Sequence, residues 1–182
     1  MQTFFQSIVD IEQYIEPYRR AYELRCAHCD LLGHLVGHGF VYQQVSMDKR
    51  QVVGKRLVCS NRFGHAGCGR TIQLRLAEQL PNRQYSALHL SVFIALLLAN
   101  VSVVHAYQQA TGQSSHRQAW RWLKALKTNL MQYRLALNTP LSSAYQHARL
   151  GHPVLATLFA LCTAFTGAVG LAFQLQAQTP FI

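Results

Sequence analysis

Carboxylates are few in this 182-residue chain, and none follows Glu78. All seven, Asp10, Glu12, Glu16, Glu23, Asp30, Asp48 and Glu78, lie in the N-terminal part. A two-cation strand-transfer site needs several converging carboxylates, so the stretch beyond Glu78 cannot build one. After Arg149 charge of either sign is missing. The first 22 residues have no continuous apolar run of the kind a secretory leader requires, and they contain Asp10, Glu12 and Glu16. A cytoplasmic location is therefore expected, where clustered cysteines bind metal more often than they form disulfides. Internal repeats and low-complexity runs are also lacking, which argues against a solenoid or array. With 50% hydrophobic residues, wholesale disorder is excluded.

What is present is positive charge. Seventeen Lys and Arg against seven acids give a formal net charge of +10. Such a balance suits a polyanion, with nucleic acid the first expectation and anionic lipid or an inert basic surface the alternatives. The charge divides the chain into a mixed N-terminal zone, a purely basic middle over 79–149 and an uncharged tail.

Cysteine spacing carries the strongest signal. Cys26 and Cys29 are separated by two residues, which lets both sulfurs turn onto one cation. Cys59 and Cys68 are separated by eight, and Gly64, Gly67 and Gly69 give that longer loop the freedom to fold back. Four thiolates satisfy a tetrahedral Zn²⁺. The expectation is one structural zinc ion on Cys26, Cys29, Cys59 and Cys68. The alternative is four ordinary buried thiols. His28, His34, His38 and His65 lie nearby in sequence, and His65, inside the long loop, is the best placed to replace a cysteine. A catalytic zinc keeps an open position beside a carboxylate. Four cysteines close the shell, and only Asp30 and Asp48 lie between the two pairs, so no enzymatic activity is expected.

Around the cysteines the pattern is that of strands. Phe40 to Val45 and Lys55 to Cys59 read as a hairpin across a polar turn region, Asp48 to Gly54. Thr71-Ile72-Gln73-Leu74-Arg75-Leu76 alternates strictly, as a half-buried strand does. Lys49, Arg50, Lys55, Arg56, Arg62, Arg70 and Arg75 surround these elements; Lys55, Arg56, Arg62 and Arg70 are candidate phosphate contacts. Before them, Phe4, Phe5, Ile8, Ile11, Ile15 and Tyr18 recur at helical spacing, which predicts an amphipathic helix ending near Pro17.

Farther on the chain reads as helical. Ser86 to Asn100 is apolar nearly all round and is expected to be a buried helix. Ser102 to Thr111, Gly112, and a Ser-capped segment from Gln113 onward outline a helix-turn-helix, with Ser114 or Ser115 as N-cap. At 100° per residue Ala119, Trp122, Leu123, Leu126 and Leu130 form an apolar stripe, while Arg117, Arg121 and Lys124 fall opposite. Trp120 and Trp122 are expected in the core. A recognition helix needs this division. Ser115, His116, Arg117, Gln118, Arg121 and Lys124 are the candidate DNA contacts, Arg117 suited to guanine and Gln118 to adenine. The competing reading is an ordinary amphipathic helix with a solvated basic face.

These motifs together resemble the zinc-ribbon modules of bacterial insertion-sequence transposases, and the short accessory DNA-binding proteins encoded beside them. Cys26, Cys29, Gly54, Lys55, Arg56, Cys59, Cys68, Gly69, Arg70, Thr71 and the Val103 to Lys127 segment carry the resemblance, over about residues 24 to 127. It implies zinc, double-stranded DNA at transposon ends or an operator, a transposase as possible partner, and a bacterial, nucleoid-associated setting. The eight-residue second loop and the uncharged tail depart from that pattern. The expected fold class is α+β. An N-terminal helix over 1–22 precedes a small, three-stranded, four-cysteine zinc ribbon over 23–80, a helix-turn-helix over 84–135 and an apolar helical tail over 140–182. That tail is read as core or as an interface between copies. The rival reading is a membrane-anchored zinc-ribbon protein spanning the bilayer at about 86–104 and 154–173.

Overall fold

The computed structural model describes residues 2–16, 24–46, 49–81, 84–137 and 153–182. The chain divides into two compact units, Met1–Gln84 and Tyr85–Ile182.

The first unit is a four-stranded mixed sheet: β1 (Gln2–Phe5), β2 (Leu35–Ser46), β3 (Lys49–Cys59) and β4 (Thr71–Leu76), ordered β1-β4-β3-β2. β1 runs parallel to β4, and the other neighbours are antiparallel. The helix α1 (Ile8–Ile15) lies between β1 and β2 in the chain. Its Ile11 is fully buried in a core with Leu57, Ile72 and Leu74, flanked by Phe5, Ile8, Ile15 and Leu35. The alternation of β4 places Ile72 and Leu74 in this core, as the sequence predicted.

Three expectations are corrected. The N-terminal apolar residues do not share one helix: Phe4 and Phe5 belong to β1, and the helix starts only after Ser7. A capping box explains the boundary. Ser7 Oγ accepts from the Asp10 N–H at 3.1 Å, and Asp10 Oδ2 accepts from the Ser7 N–H at 2.8 Å. Tyr18 lies outside the described residues. The sheet has four strands rather than three, because β1 pairs along β4, a contact remote in sequence. The turn region is narrower than expected, since Lys49 to Gly54 already form β3 and β2 begins at Leu35. Gly37 and Gly39, poor strand formers, obscured that start. Asp48 falls outside the described residues.

The second unit is helical: α2 (Ala87–Leu98), α3 (Val103–Thr111), α4 (His116–Thr128), α5 (Leu130–Leu137), α6 (Pro153–Ala164) and α7 (Val169–Ala177). α3 ends at Gly112, whose φ of 72° is the left-handed stop that glycine adopts without strain. Ser115 starts α4, its Oγ accepting from the Gln118 N–H at 3.4 Å. Trp122 is the hub, 5.2 Å from the Tyr107 ring, 5.3 Å from Phe93 and 5.6 Å from Tyr85. A second aromatic cluster joins Tyr133, Phe173 and Phe181, with centroids 4.8 to 5.5 Å apart. The Tyr133 hydroxyl donates to the Phe181 carbonyl at 2.6 Å.

Here too details shift. Leu88 and Val92 on α2 are exposed, so that helix is buried on one side only. Trp120 is exposed, whereas Trp122 is buried as expected. Leu130 belongs to α5, after a break at Asn129, rather than to the stripe of α4. The two candidate spans are not continuous helices. α2 stops at Leu98, and α6 and α7 are bent by 77°. No single described helix is long and apolar enough to cross a membrane, although α6 and α7 together meet the length and composition test.

Candidate metal centre

Two loops of the first unit bring four sulfurs together. In the first, the Asp30 N–H donates to the Cys26 carbonyl at 2.8 Å and the Cys26 N–H to the Leu31 carbonyl at 3.0 Å. Asp30 adopts φ 58°, which closes the turn. The His28 N–H points back at Cys26 Sγ, 3.4 Å away. The second loop repeats the device across a longer excursion. The Gly69 N–H donates to the Cys59 carbonyl, the Gly67 N–H to the Ser60 carbonyl, both at 2.8 Å, and the Cys68 N–H lies 3.3 Å from Cys59 Sγ. The extra residues bulge outward through Phe63 and Gly64, both at positive φ, and leave the closing geometry tight. Gly67 is required by space, not by φ: a Cβ there would overlap the Ser60 carbonyl oxygen and lie 2.6 Å from Cys59 Sγ.

All four sulfurs lie within 4.8 Å of one another, with Cys26–Cys68 and Cys29–Cys59 each at 3.7 Å. Thiolates at a metal–sulfur distance of about 2.3 Å define a tetrahedron with edges of about 3.8 Å. All four are free thiols, far beyond disulfide bonding distance. Cys26, Cys29, Cys59 and Cys68 therefore form a group that can hold a metal ion. Against the alternative of four ordinary buried thiols, the four sulfurs converge, and Cys68 is exposed and Cys29 only half-buried.

The electrostatics agree with a cation site. Burial acts to raise the Cys26 thiol, but the backbone N–H groups of His28 and Cys29 and hydrogen bonds from Cys29 and Cys59 outweigh it, lowering the thiol to about 7. Cys59, buried more completely and crowded by the other three thiols, is pushed up to about 12 despite the Cys68 N–H. A cation held there would stabilise every thiolate at once. Cys162, on α6, stands apart, its thiol raised by burial.

The histidines take a different place. His34 and His65 face each other, Nδ1 to Nδ1 at 3.2 Å, and neither belongs to the four-sulfur group. Among the basic residues the outcome is mixed. Arg50, Arg62 and Arg70 are exposed. Lys55 is ion-paired to Glu12 at 3.0 Å and only 15% exposed at its side chain. Arg56 is half-buried with its Nε buried and without a hydrogen-bond partner. Arg75 is buried and donates to Gln73 Oε1 at 3.0 Å. Of the seven bases that surround these elements, Arg75 is thus turned away from solvent, because strict alternation says nothing about how well the second face of the strand is covered. On α4, His116, Arg117, Arg121 and Lys124 are exposed; Ser115 and Gln118 are half-buried at the cap. The metal group and α4 belong to different compact units.

Sequence reasoning passed over the exposed aromatics: Phe40, Tyr42 and Phe63 are 47%, 57% and 97% exposed. The signal available was Phe40 and Tyr42 at strand spacing, with Lys55 opposite Phe40 and Arg50 opposite Gln44 farther along the hairpin. No family model matches the chain, and neither a curated protein nor a solved structure matches it, so the four-thiol group is the feature by which its function is read.

Proposed function

We propose that the chain is a non-catalytic, zinc-dependent protein that binds double-stranded DNA sequence-specifically, as an accessory or regulatory factor of a mobile element. The observation that carries the reading is the convergence of four sulfurs within 4.8 Å of one another, two pairs of them at 3.7 Å. An all-thiolate set favours Zn²⁺, completes its coordination, and leaves no open position for a substrate. Asp30, the nearest acid in sequence, is ion-paired to Arg25 at 3.3 Å. The zinc is then structural, and the first unit is the zinc ribbon of the reading.

DNA binding is supported by the division of α4. Ala119, Trp122 and Leu126 are buried, while Arg117, Arg121 and Lys124 are exposed on the same helix. With α3 and Gly112 before it, α4 has the side-chain distribution of a recognition helix. Arg62 and Arg70 add exposed positive charge beside the metal group. A transposase partner, self-association through the C-terminal helices and a bacterial cytoplasmic setting belong to the same proposal. The membrane-anchored alternative draws support from the bent α6–α7 pair. Recovery of the protein in the salt-washed membrane pellet would favour it.

The test is selection of bound sequences from random duplex DNA, followed by gel shift at moderate salt. Arg117→Ala and Arg121→Ala are expected to cost about 1–3 kcal/mol each in specific binding, with the helix content unchanged. Purified protein should carry one zinc ion per chain. Unaltered binding by both variants sinks α4 as the reader, and metal-free folded protein sinks the zinc assignment.

A further inference from the structure

The outer half of the β2–β3 pair contributes no thiol to the metal group. β2 is the edge strand of its sheet. Phe40 and Tyr42 stand two residues apart on it, with ring centroids at 6.4 Å and planes at 65°. In register they face Lys55 and Val52, and next along the ladder Gln44 faces Arg50. Lys55 Nζ lies 5.6 Å from the Phe40 centroid, and Arg50 Nε donates to Gln44 Oε1 at 3.3 Å. Two large rings in contact, each left about half exposed and flanked by cations, form a small apolar and basic patch on the edge strand.

The backbone is shaped around these rings. The β2–β3 register shifts between Gly37 and Phe40, between Val41 and Tyr42, and between Gln44 and Ser46. Gly39, immediately before Phe40, takes φ 83°. Bulges of this kind raise the twist and re-aim side chains, and they concentrate beside functional sites. Among the described residues of this face the charge is of one sign apart from Glu12, which neutralises part of Lys55. A partner must therefore offer both anionic groups and flat faces. A nucleic-acid strand with unpaired bases supplies both in every residue, a phosphate and a flat base, whereas an acidic peptide supplies a flat face only where it carries an aromatic side chain.

We propose that the Phe40–Tyr42 face of β2–β3 is a stacking platform for single-stranded nucleic acid, with the exposed Arg50 meeting its phosphates and Lys55, held by Glu12, supporting the Phe40 ring. An intact duplex hides its base faces within the stack, so this activity is distinct from duplex reading by α4. It gives the chain a means to hold a strand that has been opened.

The experiment uses the full chain in fluorescence anisotropy with three probes: a thymidine oligomer of about 12 nucleotides, an abasic oligomer of equal length and charge, and a random duplex. Wild-type protein should prefer the thymidine oligomer to the abasic one by roughly tenfold or more, because each stacked base contributes substantially. Phe40→Ala and Tyr42→Ala should each weaken thymidine binding roughly five- to hundredfold, with abasic and duplex binding nearly unchanged. Tyr42→Phe should restore it. Arg50→Ala should weaken all three probes and lower the salt slope for single strands by about 0.7. Equal affinity for thymidine and abasic oligomers overturns the proposal. So does Tyr42→Ala binding within twofold of wild type. A change of oligomeric state in Tyr42→Ala with thymidine binding intact assigns the face to contact between copies and likewise overturns it. Arg117→Ala and Arg121→Ala should retain thymidine binding, so a failure of the duplex reading leaves this result readable.

Discussion

At the scale of single residues, the site is held by a residue with no side chain. Gly67 gives the second loop room to press its backbone against Ser60 and Cys59 Sγ. The obstructing atoms are a backbone carbonyl oxygen and the sulfur of a buried cysteine of the four-thiol group. Gly67→Ala is therefore expected to cost about 1–3 kcal/mol of overpacking in the loaded state, or roughly five- to hundredfold in metal affinity. Chelator competition measures it, and wild-type affinity in Gly67→Ala would refute the steric argument. Gly64 offers the contrast. Its φ is 84°, but nothing lies within 4 Å of the position a Cβ would take, so Gly64→Ala should bring only backbone strain on the order of 1–2 kcal/mol. The sequence showed that glycines were needed in this loop; it did not show that Gly67 serves by size and Gly64 by φ.

At the scale of elements, α4 separates stability from surface charge. Trp122 is 2% exposed and meets three aromatic rings, whereas Arg121, its neighbour in sequence, is exposed. Trp122→Ala should cost about 3–5 kcal/mol, and Arg121→Ala should stay within about 0.5 kcal/mol. Urea denaturation followed by circular dichroism distinguishes them; comparable losses in the two variants would contradict the division of the helix. This division was legible because a period of 3.6 residues sorts side chains by phase alone. The N-terminal segment was misread for the complementary reason. A short stretch with Phe4, Phe5, Ile8 and Ile11 suits helix or strand by pattern, and the pairing of β1 with β4 decides.

At the scale of the whole molecule, the two compact units should respond to opposite ends of the pH range. In the first, the four thiols must be ionised to hold a metal ion, so metal affinity is expected to fall as pH falls. In the second, Tyr107 is buried, and its hydroxyl is pushed up to about 12 by that burial, then by the hydrogen bond and charge of Tyr85. Burial raises Tyr133 as well. An acid whose folded pKa exceeds its unfolded value of about 10 stabilises the fold fully below that value. The contribution is lost as pH climbs through about 12. Alkali should thus unfold the helical unit as these tyrosines ionise. Tyrosine absorbance and far-ultraviolet dichroism, followed together from pH 9 upward, should change in concert above about pH 10. Ionisation of all tyrosines at an ordinary pKa with helix intact would show that Tyr107 and Tyr133 are not buried as described.

The sequence by itself determined the four cysteines as a set, β4 by its strict alternation, and the Gly112 stop with the serine cap before α4. Each is a local matter: ligand chemistry, side-chain period and backbone conformation act within a few residues. Only the tertiary structure decided that β1 completes a fourth strand, that Arg75 is buried while Arg62 and Arg70 are exposed, and that Phe40 and Tyr42 face solvent. Those outcomes depend on which distant segment covers a face, and burial is a property of the assembled fold that no spacing rule encodes.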